Sequence, residues 1–497
     1  MNSIYLETAK IYPLSVDNLK NKIFSGLAWS GTGQIVQQAT QFIIGVILAR
    51  LLSPRDFGLI AMIIVFTGFA EIFKDLGLGS AIIQKKGLEN DHLNSIFWVN
   101  IITGLLLTGV IIGLSEPIAS FYNEPKLKKI TIVISLNFFI ASLSIVNRSI
   151  LRKNMSFKQI ANIQILAIII PAMIAIIMAL KGFGVWSLVF RSIISTSITT
   201  LLFWTYSPFQ PTFSFNKDKI KELIGYSSNL LGFNLFNYWA RNFDNLLIGK
   251  FISSAALGIY SRAYALMLLP ITQLSMIVSQ VMFPALSSIQ DDNDRIKKIY
   301  LKATRCIALI TFPLMTGLLV VSEPFILVIY GNKWSEVVPI LQILCMIGLV
   351  QSVGTTVGWI YTSQGRTDIM LKWGIFAGIF RVFAFIIGLQ WGVIGVASSY
   401  VISTSLLLYP GWTIPGRLIN MRFTEMLKNL SATIYCSTIM GLAVWALGFF
   451  ILKGMSPLWI LVIQITFGAF QYIVLIHILK VKAFKEVIEL FRDNLAS

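Results

Sequence analysis

Fourteen stretches of this 497-residue chain are apolar over the length of a membrane crossing, near 24–51, 56–75, 94–114, 128–151, 158–180, 182–205, 222–249, 256–286, 297–321, 335–363, 367–389, 391–411, 429–452 and 456–479. Roughly 20 apolar residues in a helix span the hydrocarbon of a bilayer. Lipid offers a free backbone N–H or C=O no partner, so only helices and closed barrels cross it. The stretches use Leu, Ile, Phe and Met throughout, without the alternating pattern of a barrel strand. Composition agrees: 12% of residues are charged and mean hydropathy is +0.77, whereas soluble proteins carry about 25% charge. The expected fold is an all-α polytopic membrane protein with about 14 transmembrane helices.

A net charge of +18 raises the question of nucleic acid, and the placement of the charge answers it. With a cytoplasmic N-terminus, 25 of the 40 Lys and Arg fall in inner segments, ten in outer segments and five inside spans. That bias follows the positive-inside rule, with both termini cytoplasmic and an even number of spans. The basicity is therefore topological, and no nucleic-acid partner is expected. Residues 1–22 are polar and mixed and lack a cleavable signal pattern. Cys306, Cys345 and Cys436 lie inside spans, and His92 and His477 are isolated, so neither a disulfide framework nor a metal site is expected.

The chain also repeats itself. Arg50-Leu51-Leu52-Ser53 before Gly58 is echoed by Lys250-Phe251-Ile252-Ser253 before Gly258, at an offset of 200. Gly184-Val185 with Ile194-Ser195-Thr196-Ser197 is echoed by Gly392-Val393 with Ile402-Ser403-Thr404-Ser405 at 208, and Ser115-Glu116-Pro117 by Ser322-Glu323-Pro324 at 207. The order is kept, so two six-span units are expected, parallel and related by an axis along the membrane normal, as in duplicated transporters. The expected organisation is a cytoplasmic N-terminus at 1–22, an N-lobe at 23–206, a cytoplasmic linker at 207–221, a C-lobe at 222–415, an amphipathic connector with two further spans at 416–479, and a cytoplasmic tail at 480–497. This leaves no room for a soluble catalytic domain.

Polar residues inside the spans carry the functional signal. Gln34, Gln37 and Gln41 share one face of span 1; Asn234, Asn237, Arg241 and Asp244 share one face of span 7. At the offset of 200, Gln34 aligns with Asn234, Gln37 with Asn237 and Gln41 with Arg241. Interhelical hydrogen bonding is one reading of such stripes; a water-filled cavity between the lobes is the other, and the paired positions favour it. Intramembrane charge costs at least about 2.5–3.5 kcal/mol per group at the bilayer centre. Arg241 and Asp244, three residues apart, can offset one another. Arg191 and Arg381 have no acidic residue one turn away, and Arg305 lies near a span end where it can snorkel. The surplus is cationic and suits an anionic ligand, because guanidinium binds phosphate bidentately and stays charged when desolvated. Trp239, between Asn237 and Arg241, is placed to stack on a sugar. Glu71, Lys74 and Asp75 cluster at the cytoplasmic end of span 2, either as an interfacial network or as coupling groups. No nucleotide loop, nucleophile elbow or paired-acid constellation is present, so an enzyme is not expected.

The runs Ala49-Arg50-Leu51-Leu52-Ser53-Pro54-Arg55-Asp56-Phe57-Gly58, Asp75-Leu76-Gly77-Leu78-Gly79-Ser80-Ala81, Arg241 through Lys250, Ala256 through Tyr264, and Phe283-Pro284-Ala285-Leu286 resemble bacterial polysaccharide flippases. These are the O-antigen, colanic-acid and teichuronic-acid transporters of the multidrug/oligosaccharidyl-lipid/polysaccharide superfamily, and the resemblance covers residues 20–415. It implies two six-helix lobes in a V, and flipping of undecaprenyl-pyrophosphate-linked oligosaccharide repeat units to the periplasmic leaflet of the inner membrane by alternating access. On that basis Arg241, Arg191, Arg381 and Arg305 are expected to hold pyrophosphate and acidic sugars, and Gln34, Gln37, Gln41, Asn234, Asn237 and Trp239 to meet sugar rings and hydroxyls. Asp244, Asp75 and Glu71 are the candidates for proton or sodium coupling, with no other cofactor. Expected partners are the lipid-linked oligosaccharide, membrane lipids and the polysaccharide polymerase and chain-length machinery. The alternatives are a multidrug cation antiporter, which needs a deep carboxylate, a lipid II flippase, which also has fourteen spans, and a membrane polymerase or ligase.

Overall fold

Serine caps and glycine joints set where the apolar runs break. The computed structural model describes residues 16–74, 78–85, 87–217 and 228–486, and all of its regular structure there is helical. It packs as two units, Met1–Tyr238 and Trp239–Ser497. In the first unit, α1 (Val16–Leu51) ends at Ser53, whose hydroxyl accepts from the Asp56 N–H at 3.3 Å while the Asp56 carboxylate accepts from the Ser53 N–H at 3.0 Å. This reciprocal cap, with Pro54 in the first turn, starts α2 (Pro54–Glu71). Then come α3 (Leu78–Gln84), α4 (Asn90–Gly113), α5 (Ser115–Tyr122), α6 (Lys126–Ser142), α7 (Ile145–Lys153), α8 (Phe157–Leu180) and α9 (Val185–Tyr206). The next helix, α10 (Ser228–Phe251), leads into the second unit of α11 (Ser254–Ser287), α12 (Asn293–Ile329), α13 (Val337–Gly354), α14 (Val357–Ser363), α15 (Thr367–Gly388), α16 (Gly392–Leu418), α17 (Phe423–Ala446) and α18 (Pro457–Ile478).

The sequence echoes perform the same local tasks in both units. Ser253 accepts from the Ala256 N–H at 3.1 Å, capping α11 as Ser53 caps α2. Gly184 (φ 54°) turns α8 into α9, and Gly392 (φ 68°) turns α15 into α16; a side chain is strained in that conformation. Ser115 and Ser322 each donate to the carbonyl three residues earlier, at 2.6 and 2.9 Å. The fourth span of each unit is broken: α6 and α7 meet at 44°, and α13 and α14 part at Thr355-Thr356. One echo diverges, because Ser115 opens a new helix whereas Ser322 and Pro324 lie within the continuous α12.

Nine helical runs are long and apolar enough to cross a membrane, or up to ten if the bent pair counts as one span, among the described residues. One of them, Thr367–Leu418, is 52 residues long and contains the joint at Gly392. Leu105, Leu106, Ile387 and Phe470 point outward, where hydrocarbon replaces water. The molecule is a multi-pass α-helical membrane protein. The run from Arg417 to Lys428, read from the sequence as an amphipathic connector, is divided between the last turn of α16 and the first turns of α17. Glu425 accepts from the Arg422 N–H at 2.7 Å and starts α17 there. The last two helices pack on α12 through Cys436, Met440, Val444 and Tyr472, whose hydroxyl donates to the Leu309 carbonyl at 2.8 Å.

The first half of the expected linker is bound along its length to the first unit. Phe209 is buried with Phe97, Ile96 and Val146. Asn94 donates to the Thr212 hydroxyl at 2.7 Å and accepts from the Thr212 N–H at 2.9 Å. Ser95 accepts from the Asn216 N–H at 2.8 Å, and the Trp98 indole donates to the Thr212 carbonyl at 2.9 Å.

Candidate functional site

Polar side chains inside the first unit gather at the start of α8. A cavity of about 300 Å³ is lined by Gly33, Gln34, Gln37 and Gln38 of α1, Arg152 at the end of α7, and Phe157, Ile160, Ala161 and Gln164 of α8. Steps of three and four along α1 aim its amides at one neighbour. Gly33 permits the approach, since a Cβ there would stand 3.0 Å from that of Ala161. Among the described residues, Gln37, Gln38, Gln164 and Arg152 make no side-chain hydrogen bond. Interhelical hydrogen bonding therefore does not account for these amides. Gln41, one turn further along α1, is exposed and does not line the cavity. Gln38, Gln164 and Arg152 were not selected from the sequence. The available signal was Gln164 inside a predicted span, two residues after Asn162, and Arg152 closing the preceding helix.

In the same unit, Arg191 lies half-buried in α9 with no ion pair to a described residue. The hydroxyl residues around it are satisfied. Ser195 donates to the Ala167 carbonyl at 2.6 Å, Thr199 to the Ser195 carbonyl at 2.7 Å, and Asn137 donates to Ser192 at 3.1 Å. Helix packing accounts for that stripe and leaves the guanidinium unaccounted for. Glu71 is 61% exposed and pairs with Lys74 at 3.2 Å at the end of α2; a pair so exposed contributes little energy. Asp75 and the side chain of Asn234 lie outside the described residues.

The second unit separates two groups that the sequence placed on one face. Asp244 is 4% exposed; its carboxylate accepts from the Tyr260 hydroxyl and the Asn245 N–H, each at 2.8 Å. Arg241 is exposed and forms no ion pair with Asp244. The expected offset of one charge by the other is thus corrected. Residues three apart differ by about 60° around a helix, and that angle sends Asp244 into the α11 contact and Arg241 outward. Tyr260 stacks on Tyr264 with ring centroids 6.2 Å apart, and Tyr264 neighbours Tyr400 and Arg241. From the sequence Tyr260 and Tyr264 stand out only within the run Ala256 through Tyr264, and nothing local marks Tyr260 as the partner of Asp244. Asn237 and Trp239 are half-buried on α10.

The remaining two arginines differ in kind. Arg305 pairs with Glu486 at 2.7 Å, with side chains 20% and 21% exposed. Its charge is balanced by the C-terminal segment, so snorkelling is not needed. Arg381, midway along α15, has no ion pair among the described residues, and its buried Nε lacks any hydrogen-bond partner.

A sequence profile described as "Polysaccharide biosynthesis protein" matches residues 47–339, more than half of the chain. The chain belongs to this polysaccharide biosynthesis protein family. Two similar proteins are the lipopolysaccharide biosynthesis protein WzxC of Escherichia coli (strain K12), 27% identical over 88% of this chain and 89% of its own length, and the teichuronic acid biosynthesis protein TuaB of Bacillus subtilis (strain 168), 26% identical over 86% and 89%. Among solved structures, the lipid II flippase MurJ in an inward closed conformation superposes with a TM-score of 0.74 at 17% identity, over 92% of this chain and 99% of that one. An inward-facing multidrug resistance MATE family transporter gives 0.63 at 17% identity, over 77% and 94%. At such identities the likeness is one of fold. In this polysaccharide biosynthesis protein the matched region contains Arg152, Gln164, Arg191, Arg241, Asp244 and Arg305, and ends before Arg381.

Proposed function

We propose that this protein flips undecaprenyl-pyrophosphate-linked oligosaccharide repeat units across the bacterial inner membrane, by alternating access, for surface polysaccharide assembly. One observation carries the reading: Arg191, Arg241 and Arg381 have no counter-ion among the described residues of a membrane protein of this family. An uncompensated guanidinium in a bilayer is costly, and an anionic ligand such as a pyrophosphate supplies the missing charge bidentately. Relatives named for lipopolysaccharide biosynthesis, teichuronic acid biosynthesis and succinoglycan transport support the substrate class. Asp244, the buried carboxylate held by Tyr260, is the group placed to couple an ion. Both termini lie in the cytoplasm, as the charge bias indicates. The work is transport and requires no covalent catalysis; delivery to a polymerase completes the role.

Arg241→Ala and Arg381→Ala test this. Each should leave lipid-linked oligosaccharide in the cytoplasmic leaflet and lower flipping on the order of tenfold, about 1.4 kcal/mol, as read by leaflet-specific glycosidase access in cells. Unimpaired flipping in both variants overturns the proposal. The alternative reading, a lipid II flippase, shares this fold, and rescue of cells depleted of their lipid II flippase checks it.

A further inference from the structure

The cavity at the start of α8 lies within one unit, none of the four arginines selected from the sequence lines it, and its chemistry is specific. We infer that it is a recognition site for the glycosyl-pyrophosphate end of a lipid-linked saccharide, used at the membrane face. The biological role of this ligand rests on the flippase reading; its binding does not. Amides donate and accept at once, as sugar hydroxyls do, and three of the four glutamines lining the cavity have both groups unengaged among the described residues. Phe157 offers a ring face for the C–H side of a sugar. Arg152 supplies the cation.

The surrounding basic residues single out Arg152. Its neighbour Lys153 donates to the Ile82 and Lys85 carbonyls at 2.9 and 2.7 Å, closing the end of α3. Arg148 and Lys158 have interactions of their own. Arg152 is exposed and without a partner among the described residues, with a fork suited to phosphate oxygens. Size sets what fits. At about 300 Å³, the cavity is at the small end of the ~300–1,000 Å³ range of ligand pockets, enough for one sugar and its phosphates and too small for a whole repeat unit. Position agrees, because the cavity sits among the first turns of α8 beside the last turn of α7, the basic end of both helices. There a head group meets the protein before its polyprenyl chain leaves lipid. The site would thus read the part of the substrate common to every repeat unit, the reducing-end sugar on pyrophosphate.

The test uses full-length protein in nanodiscs, titrated with farnesyl-pyrophosphoryl-N-acetylglucosamine, with UDP-N-acetylglucosamine and with inorganic pyrophosphate. Wild type should bind the farnesyl-linked sugar at least tenfold more tightly than inorganic pyrophosphate, and the nucleotide sugar, which carries the same glycosyl-pyrophosphate, should compete for the site. Gln38→Leu, Gln164→Leu and Arg152→Gln should each weaken it about tenfold, Arg152→Lys should restore part of the loss, and Gln38→Glu should abolish binding through charge repulsion. Arg152 is exposed, so its variants keep the fold, which the melting temperature verifies. Equal binding by wild type and the Arg152 and Gln164 variants overturns the inference, as does equal affinity for pyrophosphate alone or no competition by the nucleotide sugar. Flipping by wild type in proteoliposomes is measured in parallel. Absence of flipping with intact, variant-sensitive binding overturns the flippase reading and leaves the binding site standing.

Discussion

Arg305 and Arg381 carry the same charge within long apolar helices and have opposite consequences. Arg305 faces Glu486 at 2.7 Å, so Arg305→Leu strands a partly buried carboxylate. Removing one member of a fully buried pair costs about 3–5 kcal/mol, and partial exposure brings the expected loss to about 1–2 kcal/mol. Arg381 has no such partner among the described residues, so Arg381→Leu should raise the melting temperature in nanodiscs while lowering flipping on the order of tenfold. A destabilised Arg381→Leu protein would refute its assignment to ligand binding. Asp244 is a third case. Asp244→Asn keeps an acceptor for Tyr260 and should melt close to wild type, yet transport should cease to respond to an imposed proton or sodium gradient. Asp244→Ala leaves the buried hydroxyl unpaired and should cost about 1–3 kcal/mol. A wild-type gradient response in Asp244→Asn excludes the coupling role.

At the level of elements, the strap formed by residues 207–216 changes how this protein can move. Its backbone is held by Asn94, Ser95 and Trp98 at the start of α4, and Phe209 is packed under it. A segment so bound moves with the first unit, and any bending falls elsewhere. Phe209→Ala should cost about 3 kcal/mol, the low end for removing a buried phenyl ring, and should open 207–216 to limited proteolysis; unchanged cleavage would mean the strap is not held by that ring. The composition of this stretch, two prolines with polar residues, reads as a linker. Nothing local reveals that Asn94 and Thr212, 118 positions apart, satisfy one another. Helix ends were more legible. The Ser53 and Ser253 caps and the Gly184 and Gly392 joints are local devices, so the sequence spacing alone marks them.

For the molecule as a whole, the cation bias predicts a cytoplasmic C-terminus. A C-terminal fluorescent protein should fold and fluoresce in cells, a C-terminal alkaline phosphatase should be inactive, and activity of the phosphatase would reverse the assigned topology. The two units share their capping serines, turn glycines and broken fourth span, so duplication persists in structure where it is carried by local geometry. The units differ where function is expected. The first has an amide cavity, and the second a buried aspartate held by a tyrosine.

The sequence by itself determined the all-α membrane-spanning class, the internal echoes and the surplus of cations over acids in the apolar runs. All of these follow from runs of apolar residues and from short-range rules, and they survive without knowing which helices touch. Tertiary structure decided which polar groups are satisfied. It turned Asp244 away from Arg241 and toward Tyr260, gave Arg305 a partner 181 residues away, and left Arg381 without one among the described residues. It also gathered Gln38, Arg152 and Gln164 around one cavity. Hydrogen bonds and ion pairs act over about 3 Å in space whatever the separation in sequence; helical periodicity orders neighbours along one helix, and only packing between helices assigns the partner.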